Sequence, residues 1–274
     1  MKKYLLLLIA FVVVGLSSNA QSASVSPSRL YFDVSPGNYK SQKLRVMNNG
    51  PTTQTFTVNF ANFRSPGKGG KTSLDTNNLS SHGMADWLTA SPSFFEVAPG
   101  ELKEIEILLQ IPNTPDANTV RWAVASIKLA RENKGTGEKG ENVTGMSIIP
   151  TFSFVIHLFQ TPPNIKYTEV QIDNFYRDST MVQDSIRKVR MVMSASNIGD
   201  AIADCGAYLD IVNMKTGAKT VVKSRGFTIL PGGSRDIPFS LPSDLPKGDY
   251  NILGVIDYGS ETDVAAYELN IKIE

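Results

Sequence analysis

Residues 24–50 read SVSPSRLYFDVSPGNYKSQKLRVMNNG and contain the pattern that decides the fold class. Apolar and polar side chains alternate through two extended segments, a period of two that is typical of β-strands with one buried face. The second segment ends at Asn49-Gly50. The same alternation continues to the C-terminus in segments rich in Val, Ile, Phe and Thr, interrupted by Pro, Gly or Asn. The sequence therefore predicts an all-β protein.

Two sets of strands fit this alternation, and each has the size of one immunoglobulin-like β-sandwich, which contains about seven strands. The first set lies near residues 25–34, 41–48, 53–62, 93–97, 101–110, 119–131 and 146–159. The second lies near residues 165–175, 187–196, 206–213, 219–227, 234–240, 249–257 and 263–273. Trp87, just before the fourth strand, is expected to fill the core between the first two sheets.

The run Thr161-Pro162-Pro163-Asn164 separates the two sets. Proline supplies no amide proton and stiffens the chain, so the run is expected to act as a linker. We predict an N-terminal domain over 21–162 and a C-terminal domain over 163–274. Both are expected to be immunoglobulin-like β-sandwiches.

Similar turn motifs recur in the two halves. Asn49-Gly50 corresponds to Asn197-Ile198-Gly199, and Val97-Ala98-Pro99-Gly100 corresponds to Ile229-Leu230-Pro231-Gly232. Each Pro-Gly pair fits a type II turn between strands. The recurrence indicates a duplicated sandwich topology.

Residues 1–20 have the three parts of a secretory signal peptide. Lys2 and Lys3 give a basic start, residues 4–16 form a short apolar run, and Ser17-Ser18-Asn19-Ala20 supplies small residues for cleavage. The apolar run of thirteen residues is shorter than the roughly 20 that a membrane helix needs. We therefore expect export, cleavage after Ala20 and a soluble mature chain.

Charge and cysteine content narrow the function classes. The chain has 27 basic and 26 acidic side chains, and without Lys2 and Lys3 the basic count falls to 25. Without a basic cluster, neither nucleic acid nor a membrane surface is an expected partner. Cys205 is the single cysteine, so an intrachain disulfide is impossible, and we expect it to fill space on a strand.

The sequence contains no pattern typical of catalysis. His82 and His157 are far apart, and neither has a second His or Cys two or four positions away. There is no Gly-x-Ser-x-Gly elbow and no glycine-rich phosphate loop opening a helix. We therefore predict a binding protein that is not an enzyme and that needs no metal, nucleotide or other cofactor.

Two features indicate where a partner binds. Arg29 lies between Pro27 and an apolar segment, where its guanidinium either binds a carboxylate or lies over apolar neighbours at the surface. The run 146–159 is unusually apolar and contains Pro150, which a sheet tolerates only at an edge or a bulge. If this run is an edge strand, a second chain can add alongside it; otherwise it is a central strand that fills its own core. The residues expected on one face of the run are Ile148, Phe152, Phe154 and Ile156.

The segments Arg29-Leu30-Tyr31-Phe32-Asp33 and His157-Leu158-Phe159-Gln160-Thr161-Pro162 resemble the periplasmic pilus-assembly chaperones of the usher pathway. The resemblance implies two immunoglobulin-like domains arranged as a boomerang, in the periplasm. It implies that the last strand of the first domain donates alternating apolar side chains to an exported pilus or surface subunit. In that family a cleft arginine and lysine hold the subunit's terminal carboxylate. Arg29 matches the arginine, whereas His157 stands at the position of the lysine.

The partner-binding residues expected on these grounds are Arg29, Ile148, Phe152, Phe154, Ile156 and His157. The alternative is a structural or adhesive cell-envelope module that binds a protein or polysaccharide through the loops 64–82 and 132–145. The first loop is rich in Gly, Lys, Ser and Asn, the second reads ENKGTGEKGENVTG, and both are expected to be mobile. Neither contains the exposed aromatic rings that a sugar site needs.

Overall fold

The computed structural model describes residues 23–77, 80–130, 152–178 and 189–274. This part of the chain is all-β apart from two short 3-10 helices, Ala85–Trp87 and Pro115–Ala117. The predicted signal peptide and the predicted loop 132–145 lie outside the described residues, as do Ile148 and Pro150. Among the helices of the described ranges, none has the length and apolar character that crossing a membrane requires.

The first sandwich has two main sheets that enclose one apolar core. One sheet has the strand order β1-β3-β9-β7, the other has the order β2-β11-β10-β4-β8, and β5 and β6 form a separate two-stranded ladder. The strands are β1 (Ala23–Ser26), β2 (Arg29–Phe32), β3 (Tyr39–Asn48), β4 (Gln54–Ala61), β5 (Phe63–Arg64), β6 (Ser73–Leu74), β7 (Leu88–Ser91), β8 (Phe94–Val97), β9 (Leu102–Gln110), β10 (Arg121–Ala130) and β11 (Ser153–Gln160).

The single strand predicted over 25–34 is two strands that belong to different sheets. β1 pairs antiparallel with β3, whereas β2 pairs parallel with β11. The chain crosses between the sheets at Pro27 and Ser28, and Pro27 has no N–H to continue a ladder. This crossing places β2 beside β11, at the edge of the second sheet.

The segment 64–91 differs from its prediction in three ways. The expected mobile loop contains the β5–β6 ladder, and the backbone N–H of Asp236 donates to the carbonyl of Lys68 at 2.7 Å. β7 is an additional strand. Trp87 is only half-buried at the margin of the core, where the Arg121 guanidinium lies 4.4 Å from its ring centre. The space between the sheets is filled instead by aliphatic residues and phenylalanines, among them Leu44, Phe56, Ile105, Ile107 and Ile127.

The second sandwich has its own core and its own two sheets. One has the order β12-β13-β17, and the other has the order β15-β14-β18-β19, with β16 beside β14. The predicted strand 219–227 is two strands, since Ser224–Gly226 are not in a ladder. The strands are β12 (Val170–Asp178), β13 (Arg190–Asn197), β14 (Ala203–Asn213), β15 (Lys219–Lys223), β16 (Phe227–Ile229), β17 (Ser234–Ser240), β18 (Gly248–Asp257) and β19 (Ala265–Ile273).

The expected architecture of two consecutive sandwiches is therefore confirmed. β11 of the first sandwich ends at Gln160, and β12 of the second begins at Val170. The domain boundary proposed at 162/163 lies between these strands and stays a prediction.

A buried asparagine holds the same turn in each sandwich. The Asn48 side-chain amide donates to the carbonyls of Thr52 and Val97 at 2.7 and 2.9 Å, and its Oδ1 accepts the N–H of Gly50. The second sandwich repeats these three bonds around Asn197: its amide donates to Ala201 and Ile229 at 2.9 and 3.0 Å, and its Oδ1 accepts from Gly199. Asn48, one residue before the predicted match, is therefore the equivalent of Asn197.

Replacing either buried asparagine with leucine should lower the free energy of unfolding by about 3 kcal/mol, because the carbonyls it satisfies would stay buried without a donor. Asn49→Leu is the matched control, since Asn49 is exposed. Urea unfolding of the three variants measures the difference. Equal midpoints for Asn48→Leu and Asn49→Leu would contradict the assignment.

Cys205 fills space in the second core, as expected, and is 4% exposed. Burial raises the pKa of its thiol to about 12. At pH 8 a thiol reagent should therefore modify the native protein at least about a thousandfold more slowly than the urea-unfolded chain. Similar labelling rates in both states, followed by absorbance, would show that the thiol is accessible.

Candidate binding site

The pairing of β2 with β11 brings together Arg29 and His157, the two polar residues that the sequence predicts to bind a partner. In this parallel register Arg29 lies opposite His157 and Tyr31 lies opposite Phe159. The backbone N–H of His157 donates to the Ser28 carbonyl at 3.1 Å. Because side chains alternate along a strand, these four residues share the face directed away from the core, whereas Leu30 and Leu158 point into it.

This outer face meets the second sandwich across an apolar floor. Phe159 packs in a small cluster with residues from β5 and β10, and Leu230 and Ile202 of the second sandwich pack against the same cluster. Its buried members are Phe63, Val120, Trp122, Val124 and Phe159. The cleft between the sandwiches therefore has a water-poor base, which strengthens electrostatic interactions at its rim.

Arg29 already binds a carboxylate of its own chain. Its Nη1 lies 3.2 Å from Oδ1 of Asp204, on β14 of the second sandwich. Thr228 donates its hydroxyl to the same Asp204 oxygen at 2.6 Å. The Arg29 side chain retains 39% of its exposure, so a further ligand can reach it. Of the two interpretations of Arg29, carboxylate binding is the one the geometry favours.

A cavity of about 160 Å³ opens beside this ion pair. Its polar groups come from both sandwiches and from the segment between β5 and β6. Arg235, on β17, is a charged lining residue that no sequence pattern singled out. The lining residues are Arg29, Phe63, Ser65, Gly70, Thr72, His157, Phe159, Thr228, Leu230 and Arg235.

His157 lines the cavity as a largely buried imidazole. Burial, and then the positive charge of Arg29, lowers the pKa of His157 below its ordinary value of 6.5. Its Nε2 lies 2.9 Å from the Thr72 hydroxyl, and its ring meets the Phe63 ring edge-on at 5.3 Å. At neutral pH it therefore contributes hydrogen bonding and no charge, unlike a lysine at this position.

Acid should destabilise the protein through His157. The pKa is lower in the folded state than in the unfolded state, so the unfolded chain binds more protons and stability falls as pH drops below about 6.5. His157→Gln should lose part of this dependence between pH 7.5 and pH 5.5, as urea midpoints would show. If the urea midpoint changes equally with pH in wild type and His157→Gln, this prediction is contradicted. His82→Gln is the control.

The outer edge of β11 is half covered. β2 lies beside residues 157–160, so the prediction of an edge strand is wrong for this half. Beside residues 153–156 no strand lies on that side within the described ranges. The backbone N–H groups of His157 and Thr161 point toward β2. Because the direction alternates along a strand, the backbone N–H and C=O groups of Ser153 and Val155 point to the same side of β11, where no strand covers them.

The predicted apolar face of β11 divides into exposed and buried residues. Phe152 is 56% exposed, Phe154 is half-buried against the first core, and Ile156 is 3% exposed within that core. The expectation that Ile156 is offered to a partner is therefore wrong for this structure, because it fills its own sandwich. Val155, on the opposite face, is 45% exposed.

Two other places have features of a site but different roles. His82 stacks on Trp122 at 4.3 Å, and its Nδ1 lies 2.8 Å from the Val120 carbonyl, which is a structural role. Within the described part of the chain, no group of three or more His, Cys, Asp or Glu residues could hold a metal. A cavity of about 590 Å³ at the far end of the second sandwich is lined by Lys215, Lys247 and Asp249 among others, and no arginine lines it.

No protein-family model and no curated protein matches the chain. Solved structures of pilus and fimbrial chaperones do match it. The Escherichia coli chaperone DraB is 16% identical, with 90% of this chain and 98% of that chain covered and a TM-score of 0.46. A structure of the Salmonella enterica SafA pilin with the SafB chaperone gives 12% identity, 92% and 99% coverage and a TM-score of 0.45. The solved structures to which the chain is similar are thus chaperones of the kind that the segments around Arg29 and His157 resemble.

Proposed function

We propose that this chain is a periplasmic chaperone-like protein that binds an exported subunit by β-strand addition at the open edge of β11. The observation that carries the proposal is the position of this edge. Residues 153–156 have unpaired outward backbone groups, and they lead directly to the Arg29 side of the cleft. Among the described residues, this is the open strand edge that ends beside Arg29.

The direction of the added strand follows from β2. Since β2 covers the edge from His157 onward, a strand added at 153–156 has to end or turn away beside Arg29. In the parallel orientation its carboxyl terminus arrives there, and a guanidinium stabilises a carboxylate. In the antiparallel orientation an ammonium group would arrive, and Arg29 would repel it. We therefore infer that the bound segment is the C-terminal strand of the subunit, parallel to β11.

Binding energy would come from two sources. Ser153 and Val155 can each exchange main-chain hydrogen bonds with the added strand. The exposed part of Phe152 and the accessible part of Phe154 can be buried in the subunit, at about 25 cal/mol per Å² of apolar surface. This mode of action requires neither catalysis nor a cofactor.

The proposal predicts that Phe152→Asp and Val155→Pro abolish partner binding while the protein stays folded. The aspartate places a charge at the exposed aromatic position, and the proline removes the N–H of residue 155, which β10 does not use. Co-purification of the mature protein from the periplasm of its own cells, with the partner identified by mass spectrometry, measures binding. Both variants should recover at least about tenfold less partner than wild type.

Phe94→Asp is the matched control, since Phe94 is 62% exposed on β8, the opposite edge strand of the same sheet. It should bind like wild type. Undiminished partner recovery with folded Phe152→Asp and Val155→Pro would sink the proposal and leave the loop-based envelope module.

A further inference from the structure

The cleft contains an unbalanced positive charge. Arg29 and Arg235 both line the cavity beside the neutral His157, and Asp204 is the one carboxylate bound to either arginine in the described ranges. Arg235 has no ion pair with any described residue. Burial, and then the positive charge of Arg29 in the same cavity, lowers the pKa of Arg235. One further anion would balance the charges.

Arg235 is held in place but only partly satisfied. Its Nη1 donates to the Thr228 carbonyl at 3.3 Å, and its Cζ lies 5.4 Å from the centre of the Phe227 ring. A guanidinium has five N–H donors, so most of them are available to a ligand. The guanidinium also lies against Gly70, where an added Cβ would come within 2.4 Å of Cζ. The next residue, Asp236, bonds the backbone of Lys68.

We propose that Arg235 is the second cation of the cleft, so that a terminal carboxylate of the bound subunit is held between Arg29 of the first sandwich and Arg235 of the second. This inference rests on the proposed function. The ligand is a carboxylate because the parallel strand ends at this point, and because Ser65, which carries a hydroxyl donor, lines the same cavity. The second sandwich thus takes part in binding.

Asp204 competes with the subunit for the same charge. It already accepts a hydrogen bond from Arg29, so it reduces the attraction that Arg29 exerts on an incoming carboxylate. Removing its charge should tighten carboxylate binding, whereas removing the charge of Arg235 should weaken it. The two substitutions therefore have opposite expected effects.

The test compares two forms of one peptide. The probe is a synthetic peptide of about a dozen residues, the C-terminal strand of the co-purified subunit, made with a free carboxylate or with a C-terminal amide. Wild type should bind the carboxylate form about tenfold more tightly than the amide form, as measured by fluorescence anisotropy. Arg235→Gln should reduce this preference to within about twofold, and Asp204→Asn should increase it.

Arg225→Gln is the matched control, because Arg225 is an exposed arginine on the same sandwich, outside the cavity. It should keep the full preference, and Arg235→Lys should restore part of it. If folded Arg235→Gln keeps the tenfold preference, the inference is overturned while strand addition stands. If neither peptide form binds wild type, the proposed function fails and the inference fails with it.

Discussion

The parallel pairing of β2 with β11 is the constraint on which the binding site depends. It covers the outer edge of residues 157–160 and leaves residues 153–156 open. It also places Arg29 beside His157 at the point where the covered half begins. The pairing exists because the chain leaves the first sheet at Pro27 and enters the second one. One crossing thus creates both the boundary of the open edge and the charge at that boundary.

The two sandwiches are built on one plan but have different tasks at the cleft. Each closes a turn with a buried asparagine that bonds two carbonyls and one N–H. The first sandwich supplies the open strand edge and Arg29, and the second supplies Asp204 and Arg235. The carboxylate of one sandwich and the arginine of the other meet at 3.2 Å. The repeated turn therefore contributes to stability, and the residues that differ between the halves form the proposed binding site.

Alternation along the chain is sufficient to predict most strands, because a buried face leaves a period of two. It misses β7, a four-residue strand in which Leu88 alone is fully buried, and it cannot detect that Pro27 divides one strand between two sheets. Alternation also groups Phe154 with Ile156 without showing that Ile156 lies in its own core. Arg29 and His157 are found through their neighbours in sequence. Asp204 and Arg235 are not, because their role depends on how two separate sandwiches meet.

The identity of residue 70 affects where the Arg235 side chain can lie. With φ of +64° this position favours glycine, and an added Cβ would come within 2.4 Å of the Arg235 guanidinium, so the arginine side chain would have to shift. The residue at this place therefore bears on where the second sandwich can present its cation. Across related sequences, we expect glycine here wherever arginine stands at the place of Arg235.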